Sequence, residues 1–163
     1  MTKLNNRQSS RAGLHSREAR TLSAIAATCL LLGATASANA AGVTIEKPWM
    51  RFIIKARPAG GFFTLHNDTA KPVELTGASS DACGMVMLHQ TKEMNGVEHM
   101  MPVKSVSVPA HGTVKFQPGS YHLMCMQPKD SVVAGHTVSV TLKFKDGSTV
   151  TAPFPVTGPG DKR

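Results

Sequence analysis

Short segments in which apolar and polar residues alternate recur along most of the chain. A period of two is that of a β-strand with one buried face, and turn residues such as Pro118-Gly119 and Asp146-Gly147 separate several segments. No stretch keeps the 3.6-residue period of an amphipathic helix together with capping residues. Short strands spaced about 8–12 residues apart predict an all-β domain, a Greek-key β-sandwich or barrel.

Two irregular places are expected near the start of this domain. Pro48 cannot donate to a strand ladder, so the first strand, around Val43, Ile45 and Trp49, is expected to bend or to lie at an edge. The Pro and Gly content of residues 56–61 predicts a loop. Further strands are predicted over residues 62–66, 71–77, 85–91, 97–103, 104–108, 113–116, 121–126, 137–144 and 149–154.

The N-terminal segment has the composition of a secretory signal peptide. Basic residues are followed by an apolar run over residues 22–38 and by the small-residue pattern Ala38-Asn39-Ala40. The run is too short and too rich in Ala, Ser and Thr for a membrane span, although an uncleaved anchor is the alternative. We therefore predict a signal peptide over residues 1–40, one domain over 41–157, a short polar tail over 158–163, and a periplasmic protein without a membrane span.

The charge of the chain argues against a nucleic-acid partner. The chain has 18 Lys and Arg against 10 Asp and Glu, a net charge of +8. Removing the five basic residues and one acid of the leader leaves 13 basic and 9 acidic residues, or +4. That charge is spread along the domain without a basic run, and few aromatic residues are present to stack on bases.

Methionine and histidine concentrate in one stretch, Cys83–Met126. It holds seven of the nine methionines and four of the seven histidines of the chain. Scattered methionine usually fills gaps in a core, but thioether and imidazole interleaved at strand spacing form a soft ligand set that selects Cu(I). A hydrolytic zinc site would use His and carboxylate instead. The stretch therefore predicts a copper-binding protein and no enzymatic activity.

Asn95-Gly96 predicts a two-residue type I′ hairpin loop within this stretch. Three opposite pairs follow from that register, namely Met94 with Val97, Thr91 with Met100, and His89 with Pro102. His89 and Met100 then project from one face as diagonal neighbours, about 7–8 Å apart at the backbone. Two such side chains can converge on one metal ion.

The segment around His122 supplies a second pair of soft ligands. His122, Met124 and Met126 share one face of the predicted strand, because alternate residues of a strand point the same way. His-x-Met thus places two ligands on one strand directly after a turn. Met126 is a candidate outer thioether, whereas Met85 and Met87 are expected to pack beside the site or to rim it.

His89, Met100, His122 and Met124 together have the spacing H-x10-M-x21-H-x-M. This is the motif of the periplasmic PCu(A)C-type copper chaperones, which the sequence resembles over nearly the whole domain. The supporting segments are Trp49-Met50-Arg51, Gly77-Ala78-Ser79-Ser80, Met87-Leu88-His89, Val108-Pro109-Ala110-His111-Gly112 and Pro118-Gly119-Ser120-Tyr121. The sequence departs from the family at Glu98, where members often carry Met, and at Met101, where they often carry Arg.

The resemblance implies a cupredoxin-like fold that binds one Cu(I) through two His and two Met, with Cu(II) as a second candidate ion. It identifies His89, Met100, His122 and Met124 as the ligands. It also implies delivery of the ion to a copper-accepting periplasmic protein or oxidase subunit, in the assembly of the copper centres of cytochrome c oxidase.

Other functions compete with this interpretation. A blue-copper electron carrier uses two His, a thiolate and a weak axial Met, and Cys125 adjoins Met124 in the sequence. A regular strand, however, turns Cys125 away from the face of Met124. A copper-sequestering protein and a metal-free scaffold are the remaining alternatives.

Cys83 and Cys125 are the two cysteines outside the leader, and we predict that they form a disulfide. Two cysteines exported to an oxidising compartment favour a bridge. Strict alternation places Cys83 on the face of His89 but Cys125 on the face opposite His122, a conflict that a bulge at Gly84 would resolve. Two buried thiols, or one stray copper ligand, are the alternatives.

Overall fold

The computed structural model describes residues 40–161. The predicted signal peptide, apart from Ala40, lies outside the described residues, as do Lys162 and Arg163. The described residues contain no helix with the length and apolar character needed to cross a membrane. They form ten strands: β1 Val43–Arg51, β2 Ala59–Asn67, β3 Val73–Ser79, β4 Cys83–Met94, β5 Val97–Pro102, β6 Val106–Val108, β7 Gly112–Phe116, β8 Tyr121–Pro128, β9 Thr137–Phe144 and β10 Thr149–Thr157.

All ten strands belong to one sheet, in the order β5-β4-β8-β7-β2-β1-β10-β9-β3-β6. An additional pairing of β4 with β3, at Val86 and Ala78, closes the sheet on itself. Closure pairs the strand edges that an open sheet would leave exposed. The all-β, barrel-type domain predicted from the sequence is confirmed.

The closure also involves a pairing that the strand pattern did not predict. β1 runs parallel to β10, with Met50 opposite Val156, whereas β1 and β2 are antiparallel. The first and last strands of the domain therefore hold each other. Alternation along a single strand shows which face is buried but not which distant strand lies beside it.

The interior of the barrel is filled by aliphatic and aromatic side chains. Phe63 stacks on Phe116 with ring centroids 4.2 Å apart and meets Phe154 edge-on at 5.8 Å. Burial of one such side chain stabilises the fold by about 1.5–3 kcal/mol. The largest fully buried residues are Phe116, Phe154, Met50, Leu65, Leu75, Leu123 and Leu142.

The start of β2 corrects one prediction. The loop predicted over residues 56–61 is wrong in its second half, because Ala59, Gly60 and Gly61 are strand residues that pair with β8. The glycines here serve close packing rather than a turn. A Cβ on Gly60 would lie 3.0 Å from the Phe62 ring, and one on Gly61 would lie 3.1 Å from the Cβ of Leu123.

The irregularity predicted at Pro48 is confirmed. The register of β1 against β2 shifts between Glu46 and Trp49, and Lys47 takes a φ of 49°. A β-bulge at this point turns the strand locally. Trp49 and Arg51, which follow it, lie beside the candidate site described below.

Cys83 and Cys125 are joined by a disulfide, with Cα atoms 5.4 Å apart. The expected conflict of faces is not resolved by a bulge, because β4 pairs with β8 without a register shift from Cys83 to Gln90. Instead, Cys83 of β4 and its partner Pro128 of β8 both turn to the buried side. Gln127 has a φ of 51°, which is unusual within a strand. Cys125 and Pro128 are both buried, although residues three apart in a regular strand point to opposite faces. Gly84 makes this possible, because a Cβ there would lie 2.6 Å from the Gln127 side-chain oxygen.

We expect the bridge to contribute substantially to stability. The cysteines are 42 residues apart, and a loop of that length corresponds to about 4 kcal/mol in the chain-entropy account. The Cys83→Ala, Cys125→Ala variant should therefore lose about that free energy of unfolding in urea titrations followed by the fluorescence of Trp49. Addition of a reductant should lower the midpoint of the wild-type protein and leave the variant unchanged. Equal midpoints for the two oxidised proteins would contradict the expectation.

Candidate metal centre

The β4–β5 hairpin has the predicted geometry. Asn95 and Gly96 both take positive φ, 54° and 77°, as a type I′ turn requires. The three predicted pairs are confirmed, namely Met94 with Val97, Thr91 with Met100, and His89 with Pro102. Within the described range β5 pairs only with β4, so the hairpin forms an edge of the sheet.

The pairing of β4 with β8 brings the two predicted halves of the site together. His89 lies directly opposite His122, with ring centroids 5.8 Å apart. Met87 lies directly opposite Met124. Because Leu88 and Leu123 fill the core from the other face of the same pair, both histidines project from the outer face.

A cavity of about 290 Å³ opens on this outer face. Three of the four predicted ligands line it, namely Met100, His122 and Met124, and the fourth, His89, adjoins His122. The remaining lining residues come from the β4–β5 hairpin itself and from three other parts of the chain: Thr91, Glu98, Arg51, Ile53, Pro58, Gly60, Phe62, Pro118 and Gly119.

The local structure fixes the tautomer of His122. Its Nδ1 lies 3.0 Å from the carbonyl oxygen of Ser120, and a carbonyl can only accept, so Nδ1 carries the proton. Nε2 is then the nitrogen with a free lone pair. It is buried, and it has no hydrogen-bond partner among residues 40–161. A buried imidazole nitrogen held in this way is well suited to ligate a metal ion.

His89 presents a second nitrogen of this kind. Its Nδ1 is buried and lacks a hydrogen-bond partner in the described part of the chain. Burial, and next the adjacent His122, lower the pKa of His89 from its ordinary value. This shift favours the neutral imidazole, which is the form that can bind a metal.

Aromatic side chains cover His122 on the side of β1 and β2. The Phe62 ring lies 6.3 Å from that of His122, and the Trp49 ring lies 4.6 Å from that of Phe62. The Arg51 guanidinium stacks over Trp49 at 5.1 Å and reaches the edge of the cavity. This cover explains why His122 is only 4% exposed although it projects from the outer face of the sheet.

The four predicted ligands are exposed to very different degrees. His122 is 4% exposed, whereas Met100 on the edge strand β5 is 62% exposed. His89 and Met124 lie between these extremes. The site is thus buried on its histidine side and open on the side of Met100.

The donor set is soft and uncharged. Among residues 40–161, no three side chains of His, Cys, Asp and Glu converge in the manner of a metal site, so a metal here would need thioether ligands. Two imidazole nitrogens with two thioethers favour Cu(I) over zinc or calcium. One cation, Arg51, and one carboxylate, Glu98, line the cavity.

Sequence reasoning missed several residues that shape the cavity. Phe62 was predicted to lie in a strand and Gly60 in a loop, and neither was predicted to line a site. Thr91 was predicted to lie opposite Met100, without a role of its own. The hydroxyl of Thr91 is buried without a partner in the described structure and lies on the cavity wall. The family resemblance included the segment Trp49-Met50-Arg51, and this was the one indication in the sequence that β1 lies beside the site.

The titration of His89 tests this environment directly. In the metal-free protein, NMR of the ring protons should give His89 a pKa below the ordinary value of about 6.5. The unfolded chain binds a proton at His89 more readily than the folded protein does. The free energy of unfolding should therefore decline as the pH falls below about 6.5, the pKa in the unfolded chain, and should stop declining below the pKa in the folded protein. A measured pKa for His89 at or above that of the unfolded chain would show that the ring is not buried as described.

Comparisons with known sequences identify relatives over most of the domain. The model of the family described as "Putative lipoprotein LpqE-like" matches residues 43–156. A protein of Leifsonia xyli subsp. xyli named "Putative lipoprotein Lxx21020" is 35% identical over 153 residues, which cover 84% of this chain and 90% of that protein.

Solved structures with the same fold are also found. The apo PCuAC domain of PmoF2 matches with a TM-score of 0.62 at 21% identity, over 75% of this chain and 94% of that domain. The Cu(I) form of DR1885 from Deinococcus radiodurans matches with a TM-score of 0.55 at 28% identity, over 81% of this chain and 87% of that one. The fold of the described domain is therefore that of PCuAC domains.

Proposed function

The chain belongs to the LpqE-like family, and from that premise we propose that it is an extracytoplasmic copper chaperone. It binds one Cu(I) through His89, Met100, His122 and Met124 and releases the ion to a protein partner. The observation that carries the proposal is the pair of buried imidazole nitrogens without hydrogen-bond partners in the described residues, beside two thioethers.

The donors account for the choice of ion. A buried polar atom without a partner costs about 1–3 kcal/mol, and a metal bound to the nitrogens of His89 and His122 removes that cost. Thioether sulfur adds little affinity for zinc, magnesium or calcium but favours Cu(I). The structural relative DR1885 was solved in a Cu(I) form, which supports the proposal that Cu(I) is the ion bound.

The gradient of exposure supports release rather than permanent storage. Met100 lies on an edge strand and is 62% exposed, whereas His122 is 4% exposed. A ligand from a partner can therefore replace the Met100 thioether first, while the histidines still hold the ion. Since all four ligands are neutral, the loaded site keeps the positive charge of the ion and favours an acceptor that offers thiolate or carboxylate groups.

A location outside the cytoplasm fits the disulfide and the leader. Disulfides persist in oxidising compartments, and Cys83–Cys125 joins the two strands that carry the histidines. The relatives named as lipoproteins support the same side of the membrane. In the periplasm, the acceptor we propose is a copper-binding protein or oxidase subunit, within the assembly of cytochrome c oxidase that the PCu(A)C resemblance implies.

An electron-transfer role on the same fold is less well supported. A blue-copper site needs a cysteine thiolate, but Cys125 is fully buried on the inner face and bridged to Cys83. Its sulfur is therefore not available to an ion held by His122 and Met124 on the outer face. A colourless Cu(I) complex, and no intense blue colour with Cu(II), is the outcome that the chaperone role requires. A sequestering protein would differ by retaining the ion when a copper-accepting protein is added.

Removal of sulfur from the proposed ligands should weaken the binding of Cu(I) much more than the binding of Cu(II). The Met100→Leu, Met124→Leu variant keeps apolar bulk, so it should fold normally and lose more than about tenfold in Cu(I) affinity, or about 1.4 kcal/mol. Its Cu(II) affinity should change much less. His89→Ala or His122→Ala should weaken both ions. The measurement is competition with a chelator specific for each oxidation state.

Met101→Leu is the matched control for this series. Met101 is the next residue of the same strand, it is 37% exposed, and it lies on the opposite face of the hairpin from Met100. Its substitution should leave Cu(I) affinity unchanged. Wild-type affinity in the Met100, Met124 double variant, or an equal loss in the Met101 control, would contradict the proposed ligand set.

A further inference from the structure

Four methionines form two facing pairs on the outer surface of β4 and β8. Met85 lies directly opposite Met126, and Met87 lies directly opposite Met124. The two facing histidines continue the same row, so thioether and imidazole occupy three consecutive facing pairs. Facing residues have Cβ atoms about 4.5–5.5 Å apart, and successive pairs on one face are about 7 Å apart. These spacings are within reach of a methionine side chain.

Core packing does not account for this row. Met85 is 55% exposed, and Met87, Met124 and Met126 are only half-buried. Met50, by contrast, is fully buried and fills the barrel. An apolar side chain turned toward solvent loses the stabilisation that burial gives, and a group of them on one surface indicates a binding site.

Glycines flank the row on both sides, and the β3 side is open. On the β2 side, Gly60 pairs with Met124, and the Phe62 ring fills the space beside it. On the β3 side, Gly77 precedes the Ala78 that pairs with Val86, and a Cβ added to Gly77 would meet nothing within 4 Å. No side chain of Gly77 can therefore cover the sulfurs from β3. The flexible methionine side chains therefore have room to converge.

We propose that Met85, Met87 and Met126 form a second Cu(I) site made of thioethers alone. Three thioethers from facing and diagonal positions can surround one ion, and that donor set selects Cu(I) over harder ions. The site would lie about 7 Å along the strands from the ion between the histidines. It goes beyond the proposed function, because its ligands are separate and it can bind Cu(I) whether or not the histidines do.

The first experiment follows the methionine methyl groups by NMR. The protein, labelled with ¹³C in its methionine methyls, is titrated with Ag(I), a diamagnetic substitute for Cu(I), and single Met→Leu variants assign the signals. After the signals of the first site have moved, further Ag(I) should shift Met85, Met87 and Met126 together. Met94 and Met101, on the opposite face of the hairpin, are internal controls that should stay in place.

The second experiment counts the ions. Wild-type protein should hold two Cu(I) against a weak chelator, and the Met85→Leu, Met126→Leu variant should hold one with the affinity of the first site unchanged. Saturation of the wild type at one ion, or retention of two by the variant, would overturn the inference. Shifts at Met85, Met87 and Met126 without any shift at Met100 would instead support the second site and contradict the proposed function.

Discussion

The antiparallel pairing of β4 with β8 is the interaction on which the candidate site depends. It sets His89 against His122 and Met87 against Met124 on one face, while the other face supplies core residues such as Leu123. A slip of one residue would move every one of these side chains to the wrong face. Packing on the inner face, together with the disulfide at the end of the pair, therefore fixes the arrangement of the proposed ligands on the outer face.

The same constraint gives the site its asymmetry. The core of the barrel and the rings of Phe62 and Trp49 hold His122 in place, and the Ser120 carbonyl fixes its tautomer. Met100, by contrast, lies on an edge strand that only β4 supports within the described residues. In the proposed chaperone, rigid ligands on one side would preserve selectivity, and one exposed ligand on the other would allow exchange with a partner. A fully enclosed cage with the same four donors would bind the ion but release it slowly.

Turn residues and alternation predicted the features that a single hairpin or strand determines by itself. They did not predict the contacts between distant strands. Asn95-Gly96 sufficed to predict the register that places His89 near Met100, because a two-residue turn fixes its own hairpin. Alternation also predicted the shared face of His122 and Met124. The family motif required the segments of His89 and His122 to meet, but alternation and turn residues could not show that β8 pairs with β4, nor that Gly60 belongs to a strand rather than a loop. Those features depend on pairing between segments that are far apart in the chain.

In the proposed site, two imidazoles and two thioethers hold the first Cu(I) together. X-ray absorption at the copper edge, on protein loaded with one equivalent of Cu(I), measures that ligand set directly. We expect a Cu(I) edge with two nitrogen and two sulfur neighbours, and loss of both sulfurs in the Met100→Leu, Met124→Leu variant. A first shell of sulfur alone, or of nitrogen and oxygen alone, would contradict it.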